Sequence, residues 1–431
     1  MRVLRIAAAV SVVLIAATGV NAQTVASTSA TTSTPLPSPT NPLSYRQCLD
    51  LLQQSNRALR NARLQLDVSR AEVRRADVAP NPSLSASVSN STARRYQVPD
   101  SDWIVRVEQL FERGGKRGLR TAGARALERA ASLDIRETAR QQRLALAQAY
   151  FELVATQQAQ ALALETVAGH ERLRLAAERR LLAGDIAAVD VSRLRVEEGR
   201  ARNEARSAAA AAEQARIALA LTLGIETRAT ALTASDEFLP LEQPVPQPHD
   251  LELALARRPD VAALIARIEA LEQARALALA QRTRDVTLGV QTERAPSLGG
   301  NVFGISASIP LFLNNDFSGD IARADADLSI AREELARVRG LIQADAARAR
   351  ALLQSAAERV RRIDQTSIPA ASQAAQAIEF AFSRGAATLT DLFDARRQLA
   401  AVRVEALAAR ADYSKAVLVW REAVLHEEVN P

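Results

Sequence analysis

From Ala124 to Ala168 the chain contains neither glycine nor proline. Apolar side chains recur there at helical spacing, Leu144 with Phe151, then Leu146, Tyr150 and Leu153. The periodicity predicts a helix over roughly 117–182, about 65 residues and about 100 Å long at 1.5 Å per residue. An ordinary globular helix has about 11–12 residues, so this chain must build an elongated body from helices lying side by side. Composition agrees: aromatic residues make up 3% of the chain, while Ala, Leu, Arg and Glu abound. Alanine seams suit closely packed long helices better than a thick globular interior.

A Pro-rich break at 236–248 divides the remainder almost equally, and the halves answer one another at an offset of 201 residues. Leu110-Phe111 answers Leu311-Phe312, Gly118 answers Gly319, and Gly184 with Asp190 answers Gly385 with Asp391. Leu399, Val402, Ala406, Ala409, Tyr413, Ala416 and Trp420 form an apolar seam in 3-4 spacing. Ala201, Ala205, Ala208, Ala212, Ala215 and Leu219 match it in the first half. That spacing is the coiled-coil pattern. The expected repeats are 44–235 and 249–427, each with the same order. A helix (roughly 44–78 and 249–283) precedes two short alternating segments. A very long helix (roughly 117–182 and 319–383), a glycine-marked tip and a returning helix (roughly 189–223 and 389–426) follow. Pro369 should kink or locally open the second long helix.

The alternating segments are expected as strands at about 83–89, 102–111, 286–292 and 301–312. Leu84, Ala86 and Val88 alternate with serines; Trp103, Val105 and Val107 with Ile104, Arg106 and Glu108. Val286, Leu288 and Val290 alternate with polar or small residues, as do Phe303, Ile305, Ala307 and Ile309. This period of two gives one apolar face. A soluble four-stranded sheet on the helices is one reading; membrane strands, which need about 9–11 residues, are the other. Four strands cannot close a pore, since the smallest membrane barrels use about 8. Three chains would supply about 12 and leave no open edge.

Residues 1–22 read as a secretory signal: Arg2 and Arg5, an apolar run from Ile6 to Leu14, and Val20-Asn21-Ala22 as cleavage site, with a retained anchor as the alternative. Residues 23–43 are a Ser/Thr/Pro-rich tether. No later stretch reaches the ~20 apolar residues of a spanning helix. The net charge of +6 is interspersed along helices, which marks a solvated surface and not a nucleic-acid footprint. Cys48 is the single cysteine, and His170, His249 and His426 are far apart; neither a disulfide, a metal cage nor any cofactor is expected. No G-x-S-x-G, H-E-x-x-H or phosphate-loop string occurs, which argues against an enzyme.

The string Gly385-Ala-Ala-Thr-Leu-Thr-Asp391-Leu-Phe-Asp394-Ala395-Arg396, with Ile368-Pro369 and Arg257-Arg258-Pro259-Asp260-Val261, resembles the TolC family of outer-membrane efflux proteins. Glu112-Arg113-Gly114-Gly115-Lys116-Arg117-Gly118 is similar to a string of its heavy-metal, CzcC-type branch. The resemblance implies a mainly α chain with long coiled-coil hairpins forming an α-barrel. Its four strands join a trimeric 12-stranded barrel in the outer membrane, with the helices in the periplasm. It implies a passive homotrimer in contact with outer-membrane lipid, a periplasmic adaptor (membrane fusion) protein and an inner-membrane RND-type pump. It places the closed aperture at Asp391 and Asp394, which three-residue spacing sets on one side of the helix. Asp190 is the repeat partner of Asp391, but Val191-Ser192-Arg193 departs from the tip string. Aspartates complementing a helix dipole are the plainer alternative for these positions. Gly184, Arg384 and Gly385 are the expected adaptor-docking tips. Gly114, Gly115, Lys116, Arg117 and Gly118 form the expected strand-to-helix turn, with Lys116 and Arg117 within reach of lipid phosphates. Multidrug efflux, type I secretion and a periplasmic coiled-coil adaptor or scaffold remain alternatives to metal export.

Overall fold

The computed structural model describes residues 42–90, 101–184, 186–241, 252, 257–295 and 300–424. The signal, the tether up to Asn41, Asp185, the 91–100 link and most of the 236–248 break lie outside the described residues. In chain order the elements are α1 (Tyr45–Ser55), α2 (Arg57–Ala76), β1 (Ser83–Asn90), β2 (Ser101–Phe111), α3 (Lys116–Leu182) and α4 (Ala188–Leu223). A 3-10 turn at Glu226–Ala231 follows. Then come α5 (Pro259–Ala280), β3 (Val286–Ala295), β4 (Gly300–Ser308), α6 (Ser318–Arg362), a π-turn at Ile363–Ser367, α7 (Ile368–Ser383) and α8 (Leu389–Val424).

The helix α3 is 67 residues long. The expected seams are the buried ones. Ala201, Ala205, Ala212, Ala215 and Leu219 of α4 are buried, and Ala215 and Leu219 pack with Leu146, Tyr150, Phe151 and Leu153 of α3. Ala406, Ala409, Tyr413 and Trp420 of α8 pack with Ala349, Leu353, Ala357 and Val360 of α6. Alanine at these positions lets backbones approach closely without leaving cavities.

Several boundaries differ from the periodicity. The expected helix 44–78 is broken at Asn56, whose backbone is extended (ψ 129°). The Asn56 carboxamide oxygen accepts from the Leu59 N–H at 2.9 Å, capping α2. Its Nδ2 donates to the Thr222 carbonyl (2.7 Å) and to Gln142 Oε1 (2.9 Å). A polar residue able to satisfy three groups at once makes the break cheaper than continuing the helix. Pro369 acts through a π-turn: the Ile368 N–H donates to the Ile363 carbonyl, and α7 starts with proline in its first turn. The missing proline N–H is absorbed by the wider turn, so Ile363 stays buried in the seam. The last strand ends at Ser308 and not near 312, because Pro310 cannot continue the ladder.

The four strands form one antiparallel sheet in the order β1-β2-β3-β4. The register sets Leu84, Val107, Val290 and Ile305 in a single cross-strand row. Ala86, Val105, Thr292 and Phe303 make the next row on that face. The opposite face carries Ser85, Arg106, Gln291 and Gly304, with Arg106 Nε donating to Gln291 Oε1 at 2.9 Å. Leu84, Phe303 and Ile305 are 64%, 71% and 80% exposed, so the apolar face has no cover among the described residues. Helices α2, α3, α5 and α6 neighbour one another in that same order, each continuing its own strand. Both the sheet and the helical layer therefore end in open sides, at β1 with α2 and at β4 with α6. Among the described residues no helix is long and apolar enough to cross a membrane.

Gly224 closes α4 at φ 76°, and a Cβ there would stand 2.5 Å from the Ser55 carbonyl oxygen. Gly224→Ala should lower stability by roughly 1–3 kcal/mol from left-handed strain and overpacking. Gly118→Ala, in open space inside α3, should be neutral or stabilising by up to about 1 kcal/mol. Thermal unfolding of the two variants checks both signs.

Candidate functional site

Two regions collect the residues singled out in the sequence: the hairpin tips and the strand-to-helix junction. Each tip turns on a glycine in the left-handed region, Gly184 at φ 83° and Gly385 at φ 77°. That conformation ends the preceding helix and costs a glycine no Cβ clash. Arg384 lies with its guanidinium 5.3 Å from the centre of the exposed Phe380 ring.

At the second tip Thr388 and Asp391 make a reciprocal cap. The Thr388 hydroxyl and N–H donate to Asp391 Oδ2 at 2.6 and 2.9 Å, and the Asp391 N–H donates back to Thr388 Oγ1 at 3.2 Å. These bonds, the hydroxyl's first, hold the Asp391 carboxyl below the usual carboxylate range. Asp391 thus serves its own helix start, and the plainer dipole-and-cap role is accounted for by geometry. Asp394 is exposed and lies 3.7 Å from Arg397. Asp190 of the first tip is 3.8 Å from Arg193. Its N-cap is Ala187, which has no side chain to complete a cap.

The structure also joins the tips through residues that sequence reasoning did not single out. Phe393 of α8 is buried with Ala177, Val191 and Leu194 of the first hairpin. Arg397 of α8 reaches Glu197 of α4 at 3.5 Å. A cavity of about 380 Å³ beside this contact is lined by His170, Glu197, Glu379, Phe393, Arg396 and Arg397, among others. Burial first, then the Arg396 charge, lowers the His170 imidazole below its ordinary value. A second cavity of about 370 Å³ lies between the tips, with Ile186, Asp190, Arg193, Gly385 and Thr388 on its wall. The aromatic Phe393 inside an otherwise small-residue tip string was the one available sequence signal for this contact.

At the junction Gly114 and Gly115 both take positive φ, 73° and 69°, and Lys116, Arg117 and Gly118 open α3. A Cβ on Gly114 would stand 2.9 Å from the Thr283 Cβ. Lys116 is turned inward, contrary to the expectation that it reaches lipid phosphates: its side chain is 4% exposed. Its ammonium donates to both Asp285 oxygens (2.9 and 2.8 Å) and to the Thr283 carbonyl at 2.8 Å. Arg113 donates its backbone N–H to Asp285 Oδ1 at 2.9 Å. Glu112 pairs with Arg120, whose bond holds the Glu112 carboxyl low. Arg117 pairs with Asp77 at 3.1 Å. The Glu-x-Gly-Gly-Lys-Arg string is therefore a clasp. It fastens the β2–α3 corner to the α5–β3 corner, where the second half of the chain enters the sheet. Burial alone would raise the Asp285 carboxyl; bonds from Lys116 and the Arg113 N–H outweigh it and hold it low.

A model of the family described as outer membrane efflux protein matches residues 48–225 and again 251–423. The cobalt-zinc-cadmium resistance protein CzcC of Cupriavidus metallidurans is 28% identical over 373 residues, covering 85% of this chain and 86% of the relative. A membrane protein of Pseudomonas aeruginosa superposes with a TM-score of 0.77 at 19% identity, over 88% of this chain and 90% of the other. The outer membrane protein VceC of Vibrio cholerae gives a TM-score of 0.72 at 20% identity, over 88% and 95%.

Lys116→Met should cost roughly 2 kcal/mol, below the value for a fully buried pair because Asp285 keeps some solvent contact. Asp285 has a lowered pKa, so its contribution is present above the ordinary carboxylate value of about 4 and is lost as pH falls below it. Asp285→Asn should flatten the fall in melting temperature on acidification below that pH; an unaltered acid profile would refute the clasp.

Proposed function

The chain belongs to the outer membrane efflux protein family, and we propose that three copies close one barrel and one tunnel through which a partner pump expels divalent metal cations. It is a channel and not an enzyme. The observation that carries the shared barrel is the sheet, which among the described residues has one uncovered apolar face and two unpaired edges. Backbone N–H and C=O groups in hydrocarbon must all be paired, so an open sheet enters a membrane only as part of a closed one. Three four-stranded sheets, β4 of one copy beside β1 of the next, meet that requirement with about 12 strands. The apolar row Leu84, Val107, Val290, Ile305 then faces lipid, and the Arg106 row lines the lumen. The open sides at α2 and α6 join in the same way, and the helices continue into the periplasm as a tunnel.

Energy coupling belongs to partners: an adaptor docking at the tips marked by Gly184 and Arg384-Gly385, and an inner-membrane pump of the RND type. Metal cargo is supported by the likeness to CzcC and by the clasp string. A conduit must release what it conducts, and tight sites would slow it. With one Cys, one Met and three His, the chain is poor in soft, strong ligands for transition metals.

At the mouth, Asp391 and Asp394 of three copies make a ring of carboxylates that favours cations and is blocked by multivalent ones. Asp391→Ala/Asp394→Ala should therefore show larger single-channel conductance in planar bilayers and weaker block by divalent cations. Unchanged currents would leave Asp391 with its capping role alone.

Cargo is tested by growth of a deletion strain with cobalt, zinc, cadmium, nickel or copper beside hydrophobic drugs and detergents. Sensitivity to metals with little change toward drugs is expected. Sensitivity to drugs alone would overturn the metal assignment and leave the channel intact.

A further inference from the structure

The two junctions between strand and long helix are built differently, although the helices they start are counterparts. The residue before α3 is Gly115 at φ 69°; the residue before α6 is Phe317 at φ 61°. The left-handed region is open to glycine and strained for phenylalanine, so the second junction keeps a strained residue where the first does not. The first junction is a polar clasp. The second is an apolar loop with its own internal scaffold.

Phe312 is turned under the loop, edge-to-face with Phe317 at 4.9 Å between ring centres. The Arg284 guanidinium stands 5.7 Å from the Phe312 ring centre. The Phe317 N–H donates to Asn315 Oδ1 at 2.9 Å. The Ser318 N–H and hydroxyl donate to Asp316 Oδ1 at 3.0 and 2.6 Å, and Arg282 Nε donates to the Asp316 carbonyl at 3.1 Å. Strain is retained where the surroundings enforce it, and such places serve a purpose elsewhere in the chain's work. Here the scaffold turns one aromatic inward and leaves its flanking leucines out: Leu311 is 69% and Leu313 83% exposed. Phe303 and Ile305 on the apolar face of β4 are 71% and 80% exposed, Ile309 just past the strand is 48% exposed, and the Leu313 N–H donates to the Leu311 carbonyl at 3.1 Å, so the chain turns between the two leucines. The exposed apolar surface thus runs on past the end of β4 at Ser308. Arg282 and Arg284 lie exposed at the same end.

We infer that the Ile309–Phe317 loop seats the protein on phospholipid: Leu311 and Leu313 enter the inner leaflet of the outer membrane at its headgroup boundary, and Arg282 and Arg284 stand among the lipid phosphates. This rests on the barrel reading, whose lipid face it extends beyond the last strand. The physical logic is that of interfacial anchoring. Apolar side chains cross into the acyl region, while guanidinium groups stay at the phosphate level and bond it in a planar fork. The loop is held rigid before contact, so little conformational freedom is lost on seating. Alone, two leucines and two arginines anchor nothing; on a barrel they set the depth at which strands give way to helices.

The test is site-directed spin labelling of the full trimer in vesicles of phosphatidylethanolamine and phosphatidylglycerol. A label is placed at Leu313→Cys, at Leu311→Cys, and at Ile305→Cys as the reference on the sheet. The native Cys48 is fully buried and its thiol is pushed up to about 12, so it does not compete for the label. Collision with lipid-soluble oxygen should exceed collision with a water-soluble nickel complex at all three positions, severalfold over a label at Ser329→Cys on exposed helix. Oxygen dominating at Ile305 while nickel dominates at Leu311 and Leu313 would overturn the loop's role and leave the barrel standing. Neither reagent reaching Leu313 would overturn it as well, giving that surface to the neighbouring subunit. Nickel dominating at Ile305 would remove the barrel reading and the loop proposal with it. Native mass spectrometry of each labelled variant confirms that a folded trimer was measured.

Discussion

The constraint on which the rest depends is the pairing of backbone hydrogen bonds across four short strands. The sheet satisfies its inner two strands and leaves the outer edges of β1 and β4 without a partner among the described residues. An edge of this kind is a template for another chain. In water it invites aggregation; in hydrocarbon each unpaired group costs several kcal/mol. The apolar face makes the same demand, since among the described residues nothing covers Leu84, Phe303 and Ile305. Closure with further copies in a membrane, as proposed above, answers edge and face together.

The helices inherit the order of the strands. Because α2, α3, α5 and α6 each continue one strand, the order of the strands passes directly into the helical layer. Strands lie about 4.8 Å apart and packed helices about 8–10 Å apart, so the junctions must absorb a large change in spacing. This is where the chain concentrates its special chemistry. Gly114, Gly115, the Lys116–Asp285 pair and the Glu112–Arg120 pair hold one corner, and the strained Phe317 loop holds the other. Far from the sheet, the alanine seams require little more than close approach.

The tips follow a different logic. They are joined by Phe393 packing and by Arg397 between Asp394 and Glu197, contacts that are partly exposed and individually weak. Weak, partly exposed contacts place the tips at the low-stability end of the structure, while the buried seams hold the rest. Asp391 caps the start of α8, and the same bonds with Thr388 fix where its carboxylate sits at the tip.

Much of the architecture was legible in the residues themselves. A stretch without glycine or proline, heptad-like alanines and period-two segments announce α3, the seams and the strands, because each reflects a local backbone period that burial then enforces. Pro369 announced its own defect, and the tip glycines announced their turns. What the residues could not announce were the events decided by distant partners. Asn56 breaks a helix that its neighbours would continue, because Thr222 and Gln142 wait across the bundle. Lys116 looks like a surface cation in sequence and is buried, because Asp285, far along the chain, is brought beneath it. Phe393 stands out as an aromatic in its tip string, but what buries it is decided by Ala177, Val191 and Leu194 of the first hairpin. Which face of the strands is apolar could be read from the alternation alone; that the four apolar rows coincide across the sheet was decided by register. Register follows from pairings between residues nearly two hundred positions apart, such as Val107 with Val290, and no local period contains it.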